Sequence, residues 1–196
     1  MNGTSPPVEQ LIACQQVLMD DSTVFSIQWM TMPESGVAGV TPDLLFDRYL
    51  AYIRRFTRSL VRPKVTDNGV EFRLLGLPVS LISFASPVRS EEENRASLSL
   101  PISGGLLVLA GQGALSFLVE EAAGGVRLTL RLAHSRPLLL GSAPVSPLRK
   151  FLYRFTQAHI HKVVTVRFLA RLYRQLTGCA ARARVVPVRV CQGEEL

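Results

Sequence analysis

The stretch LSFLVEEAAGGVRLTLRL, residues 115–132, constrains the fold more than any other part of the chain. Leu115, Phe117 and Val119 lead into residues 120–125, after which Val126, Leu128, Leu130 and Leu132 alternate with Arg127, Thr129 and Arg131. Successive strand residues point to opposite faces, so a period of two on both sides of a glycine turn makes an antiparallel hairpin, apolar on one face and wet on the other. The same period appears upstream, where Val70, Phe72 and Leu74 alternate with Glu71 and Arg73. Between these lie PVSLISFASP (78–87) and RASLSLPISGGLLVLAG (95–111), giving five or six strands in succession. Consecutive strands usually pair with their neighbours, so an antiparallel meander is expected.

Residues 96–119 carry no charge. A membrane-spanning helix is nevertheless refused there, because four glycines, four serines, Pro101 and Gln112 interrupt the run and Ser97 and Ser99 alternate with Leu98 and Leu100.

Two helices flank the strands. Thr41, Pro42 and Asp43 form a start signal, with a capping hydroxyl, a proline at the first helical position and an acid in the first turn. Leu45, Tyr49, Ile53, Phe56 and Leu60 recur three or four apart, which predicts a helix to about Val61, and Pro63 blocks its continuation. Ser146 and Pro147 repeat the signal ahead of a helical pattern that runs to Leu176, with Gly178 as the stop. Such a helix would be roughly 46 Å long at 1.5 Å per residue, with bending or a break expected at the β-branched run 163–166. ARARVVPVRV (181–190) alternates again and reads as a final strand.

A chain of 196 residues fits a single domain, 1–196, with residues 1–20 read as a flexible lead-in and 180–196 as a C-terminal extension. Hydrophobic residues make up 47% and the mean hydropathy is +0.23, enough apolar side chains to spare for a cavity or a partner surface. Cys14, Cys179 and Cys191 are odd in number and sparsely placed, against both a disulfide framework and a zinc site. MNGTSPPVEQ has no basic segment followed by an apolar one, so a cytoplasmic placement is expected, with peripheral membrane association as the variant.

The passage GQGALSFLVEEAAGGVRLTLRL followed by SPLRKFLYRFTQAHIHKVV, set behind a first helix, resembles the helix-grip fold of the START and pollen-allergen-like superfamily over roughly residues 20–177. The resemblance implies an α+β domain whose curved antiparallel sheet wraps a long C-terminal helix around a hydrophobic cavity. Members bind lipids, sterols or polyketides, and some are cyclases or hydroxylase components. The first helical region here is one segment where the family has a pair of short helices, and residues 181–190 run past the usual last helix.

On that pattern the expected ligand-binding residues are Phe72, Leu74, Leu115, Phe117, Leu128, Leu130, Phe155 and His159, with His134 as a polar contact. His134 faces inward if its strand continues without a bulge, and is a loop residue if the strand has ended. His159 falls with Leu148, Leu152, Phe155, Val166 and Tyr173 on the apolar helix face, as a core histidine or a ligand contact, whereas His161 falls on the arginine side. Residues two apart on a helix point about 200° from each other, so the two histidines cannot grip one metal ion. GQGALS lacks the third glycine and the βαβ setting of a dinucleotide site, and Glu91, Glu92 and Glu93 read as a solvated turn. No catalytic constellation, metal site or cofactor is expected, so the chain reads as a binder of a hydrophobic small molecule. Were it an enzyme, the resemblance implies cyclase or dehydratase-like chemistry in the cavity.

Charge is distributed unevenly. Residues 1–145 hold 12 basic against 13 acidic residues, net −1, while residues 146–196 hold 10 against 2, net +8. Arg149, Arg167, Arg171 and Arg174 share one helix face, with Ile160, Val164 and Phe168 near them, on the side opposite the main apolar stripe. This is either a solvated face or a surface for an anionic membrane or a protein partner. Nucleic acid ranks last, since no aromatic residues interleave with the basic ones as a stacking platform. Homo-oligomerisation is left open, including a tail that crosses to a second chain.

Overall fold

The computed structural model describes residues 8–19, 23–37, 39–111, 113–138, 159–179, 181–191 and 194–195. In chain order its main elements are β1 (Val8–Leu18), β2 (Val24–Met32), α1 (Pro42–Phe56), β3 (Val61–Thr66), β4 (Gly69–Leu74), β5 (Ser80–Phe84), β6 (Val88–Glu92), β7 (Arg95–Gly104), β8 (Ala114–Ala122), β9 (Gly125–Ser135), α2 (His159–Thr177) and β10 (Ala181–Pro187).

Alternation in residues 115–132 folds as expected, with Leu115 opposite Leu132, Phe117 opposite Leu130 and Val119 opposite Leu128 across β8 and β9. From β3 to β9 the strands follow one another in an antiparallel series, β6 and β5 sharing successive lengths of the ten-residue β7. The path then closes back on the start of the chain, because β2 lies beside β9. β2, α1, β3 to β9 and α2 thus form an α+β domain with a curved, unclosed antiparallel sheet under a C-terminal helix, consistent with a helix-grip fold.

Beyond that frame two further described strands join the same sheet. β1 pairs antiparallel with β2, and β10 runs parallel to β1, Val8 to Cys14 matching Ala181 to Pro187. The lead-in expected over residues 1–20 is therefore a sheet strand from Val8 to Leu18, with Ile12 wholly buried. At the other end β3 pairs, among the described residues, with β4 alone, and an edge strand is where a strand proline such as Pro63 is tolerated.

α1 begins as the sequence predicts, the Thr41 hydroxyl accepting a hydrogen bond from the Leu44 amide at 3.2 Å and Pro42 opening the helix. It ends at Phe56, a turn earlier than expected. Arg58 and Ser59 adopt left-handed backbone, and the Thr57 hydroxyl accepts from the Val61 amide at 3.1 Å while donating to the Ile53 carbonyl, which turns the chain directly into β3. Leu45, Phe46, Tyr49, Tyr52 and Ile53 are buried. Full burial of a large apolar side chain contributes roughly 1.5–3 kcal/mol, so this one face accounts for most of the docking of α1.

α2 is helical from His159 to Thr177, so the break that was one expectation for the run 163–166 does not occur. The part of the expected helix before His159, with Leu148, Arg149, Leu152 and Phe155, lies outside the described residues. Val164, Thr165, Phe168, Leu169, Leu172 and Tyr173 are its buried positions. That corrects the sequence reading of Val164 and Phe168 as neighbours of an exposed arginine face. Phe168 is 2% exposed and packs its ring against Tyr49 at 5.2 Å and Tyr52 at 5.5 Å. α1 covers Phe168, and of Ile160, Val164 and Phe168 only Ile160 stays exposed.

Candidate functional site

Between α1, the sheet and the first turns of α2 lies a cavity of about 250 Å3. α1 supplies Tyr49 and Ile53 to its wall, and Thr57 follows from the turn just past the helix. The sheet supplies Phe72, Ile82, Phe84, Ile102, Leu115 and Leu132, with Val24 and Ser135 at one margin. Leu107, Val108 and Pro137 come from the connections at that end, bridged by backbone pairing of Val108 with Pro137. Ile160, His161 and Val164 of α2 complete the described lining.

The expected ligand-binding residues divide. Phe72 and Leu115 line the cavity. Phe117, Leu128 and Leu130 are at most 1% exposed and belong to the dry core beside it, and Leu74 is half-buried and away from the lining. Phe155 lies outside the described residues, and of His159 only the backbone, the first residue of α2, is described.

His134 departs from the reading that turns it inward. Val24 pairs with Ser135 and Ser26 with Leu132, so Ala133 and His134 together face the single residue Phe25 as a bulge. His134 sits there at φ 51° and is exposed, and the extra residue shifts the inward position to Ser135, which is 2% exposed and lines the cavity. Gly113 makes room for the bulge: a Cβ on it would lie 2.6 Å from the Ala133 carbonyl oxygen. Gly113 was the sequence signal for this arrangement, within the GQG that reads as a turn.

His161 is the histidine that meets the cavity, contrary to its expected outward position. Its helix face is set by Val164, Phe168 and Leu172, three, seven and eleven residues on, all buried. The residue is half-buried, since its ring borders the cavity, and burial pushes its pKa down to about 4. Tyr49 is 4% exposed, and burial with the neighbouring Tyr52 pushes its phenol well above the ordinary range. Neither side chain has a hydrogen-bond partner among the described residues. Each is therefore a neutral group at pH 7 with unused capacity: a donor and an acceptor on the imidazole, a hydroxyl on the phenol.

That arrangement suits recognition better than proton transfer. A general base works best with a pKa near the working pH, and an imidazole at about 4 holds a proton too weakly. Among the described residues no carboxylate lines the cavity to orient it. Among the described residues no three His, Cys, Asp or Glu side chains come together as a metal-binding group.

The depressed pKa has a consequence for stability. An unfolded histidine titrates near 6.5, so between pH 6.5 and 4 the unfolded chain takes up a proton that folded His161 refuses. Stability should fall as the pH drops through that window, by at most about 3 kcal/mol from this residue. Urea unfolding at pH 7 and pH 4.5 should show a smaller acid loss in His161→Phe than in the wild type; equal losses would mean that the imidazole is open to water.

No helix of the described residues is long and apolar enough to cross a membrane. No family model matches the chain, and no curated protein matches it. Among solved structures, the crystal structure of CalU16 from Micromonospora echinospora is similar at 14% identity, over 88% of this chain and 98% of that one, with a TM-score of 0.29.

Proposed function

We propose that the protein binds a compact hydrophobic molecule carrying a hydrogen-bonding group, with the apolar body against Phe72, Ile82, Leu115 and Leu132 and the polar group at Tyr49 and His161. The observation that carries this reading is the conjunction of an apolar-walled cavity with two polar side chains in its wall that have no hydrogen-bond partner among the described residues. Buried polar groups are almost always hydrogen-bonded, and few convergent polar groups in an apolar hollow are the usual make-up of a small-molecule site. At about 250 Å3 the cavity lies just under the roughly 300–1,000 Å3 of drug-sized sites, which favours a small aromatic or short-chain member of the lipid and polyketide-like classes.

A neutral ligand with a ketone or hydroxyl would meet no electrostatic penalty beside an uncharged imidazole, whereas a carboxylate would be desolvated with no cation to pair it among the described lining residues. Native mass spectrometry of the purified protein, followed by organic extraction, tests for a molecule carried along. In parallel, the neutral dye N-phenyl-1-naphthylamine should bind saturably to the wild type and at least tenfold more weakly, about 1.4 kcal/mol, to Ile82→Trp, which fills the cavity. Equal dye binding by the two proteins, with unchanged melting temperatures and no extracted compound, would overturn the reading.

A further inference from the structure

The basic residues of α2 do not face open water alone. Arg167, Arg171 and Arg174 recur at four and three residues, on one face of that helix, and Arg48 and Arg55, seven apart, stand on one face of α1. The two faces meet across two adjoining hollows of about 380 and 190 Å3 that share Tyr52, Arg55 and Arg171. Seven residues of helix rise about 10 Å, so five guanidinium groups line a channel some two turns long.

Among the described residues, none that lines either hollow is acidic. Among the described residues five arginines outside the groove are paired: Arg73 with Glu71, Arg89 with Asp43, Arg95 and Arg127 with Glu120, Arg184 with Glu9. Among the described residues none of the five groove arginines makes an ion pair. Arg48 donates to the Gln175 side-chain oxygen at 3.3 Å, and Arg167 lies over the Phe56 ring at 5.9 Å, contacts that orient a guanidinium without neutralising it. The field reaches the floor of the groove, where burial pushes the Tyr52 phenol up and Arg167 and Arg171 pull it back.

We infer that this groove binds a phosphomonoester or pyrophosphate group, a site separate from the apolar cavity and independent of what that cavity holds. Five like charges in one groove repel each other, and an anion bound among them relieves that repulsion. A guanidinium fork matches phosphate oxygens two at a time. A single carboxylate brings one negative charge to five positive ones, whereas phosphomonoester and pyrophosphate groups bring about two or more. The phosphate can arrive free in solution or as the headgroup of a lipid.

Isothermal titration with inorganic pyrophosphate tests the first source, and co-sedimentation with phosphatidylcholine vesicles, with and without phosphatidic acid, tests the second. Wild type is compared with Arg55→Glu/Arg171→Glu, and with Arg62→Glu/Lys64→Glu, an equal change of charge on exposed residues of β3 outside the groove. Saturable pyrophosphate binding, lost at least tenfold in the groove variant and kept in the β3 variant, assigns a soluble phosphate ligand. Retention on phosphatidic-acid vesicles alone, with the same pattern among the variants, assigns a lipid headgroup. Binding in neither arm, or an equal loss in both variants, overturns the proposal. Arg55→Gln/Arg171→Gln replaces the glutamate variant if melting curves show the latter unfolded.

Discussion

Phe117→Ala is expected to lower the free energy of unfolding by roughly 3–5 kcal/mol, a large part of the 5–15 kcal/mol that holds an ordinary domain together. Phe117 has no exposed surface. It stands on β8 between Leu98 of β7 and Leu130 of β9, and its ring meets Phe46 at 5.8 Å and Tyr49 at 5.4 Å, both edge-on. Edge-to-face pairs add about 0.5–1.5 kcal/mol each beyond burial, and β8 is too firmly paired on both sides to collapse into the void. The same ring fixes α1 on the sheet, so Tyr49, which borders the cavity, should lose orientation as well. Urea unfolding measures the first effect and dye binding the second. A loss below about 1.5 kcal/mol would mean that Phe117 borders empty or ligand-filled space, as the alternation alone suggested, and not a dry core.

That distinction shows what alternation can and cannot carry. It assigns Phe117, Leu128 and Leu130 to the helix-covered face of the sheet, which is where they lie, but a dry core and a cavity wall use the same residues. The difference lies in how far α1 and α2 stand from each strand, a property of pairs of elements far apart in sequence. α1 was legible because its signals are local: a capping hydroxyl, a proline and a stripe with one buried side. β2 was not, because Val24–Met32 is buried on nearly every residue and its helix-side positions include Ser26 and Gln28, so neither alternation nor an unbroken apolar run marks it. The phase of α2 was misjudged for a related reason. Wedged between α1 and the sheet, it buries Val164 and Phe168 as well as Thr165, Leu169 and Tyr173, and a stripe that wide admits more than one centre. With the centre moved, His161 turns to the cavity. The arginines that flank the stripe meet Arg48 and Arg55 of α1, a convergence that no pattern within either helix encodes.

Gly125→Ala should cost roughly 3 kcal/mol or more, through a clash that the neighbouring Gly124→Ala avoids. Gly125 opens β9 at φ 140°, a conformation that L side chains rarely adopt. A Cβ there would land on the Met32 carbonyl oxygen, 2.9 Å from the Met32 carbonyl carbon and 3.1 Å from Pro33 Cα. These are backbone atoms at the end of β2, where Met32 pairs with Val126, so relief requires prising β9 from β2. Gly124 also has positive φ, 86°, but a Cβ on it would meet nothing within 4 Å, leaving backbone strain of about 1 kcal/mol. Both substitutions add one methyl group to one turn, so the difference between their unfolding free energies isolates the pressure of β2 on the hairpin. Val24 and Ser135, which border the cavity, sit at the opposite end of the same β2–β9 ladder, and a hairpin prised open at Met32 should bind dye more weakly too. Equal unfolding free energies for the two variants would mean that β2 does not press on Gly125, and the closing of the sheet through β2 would then have to be redrawn.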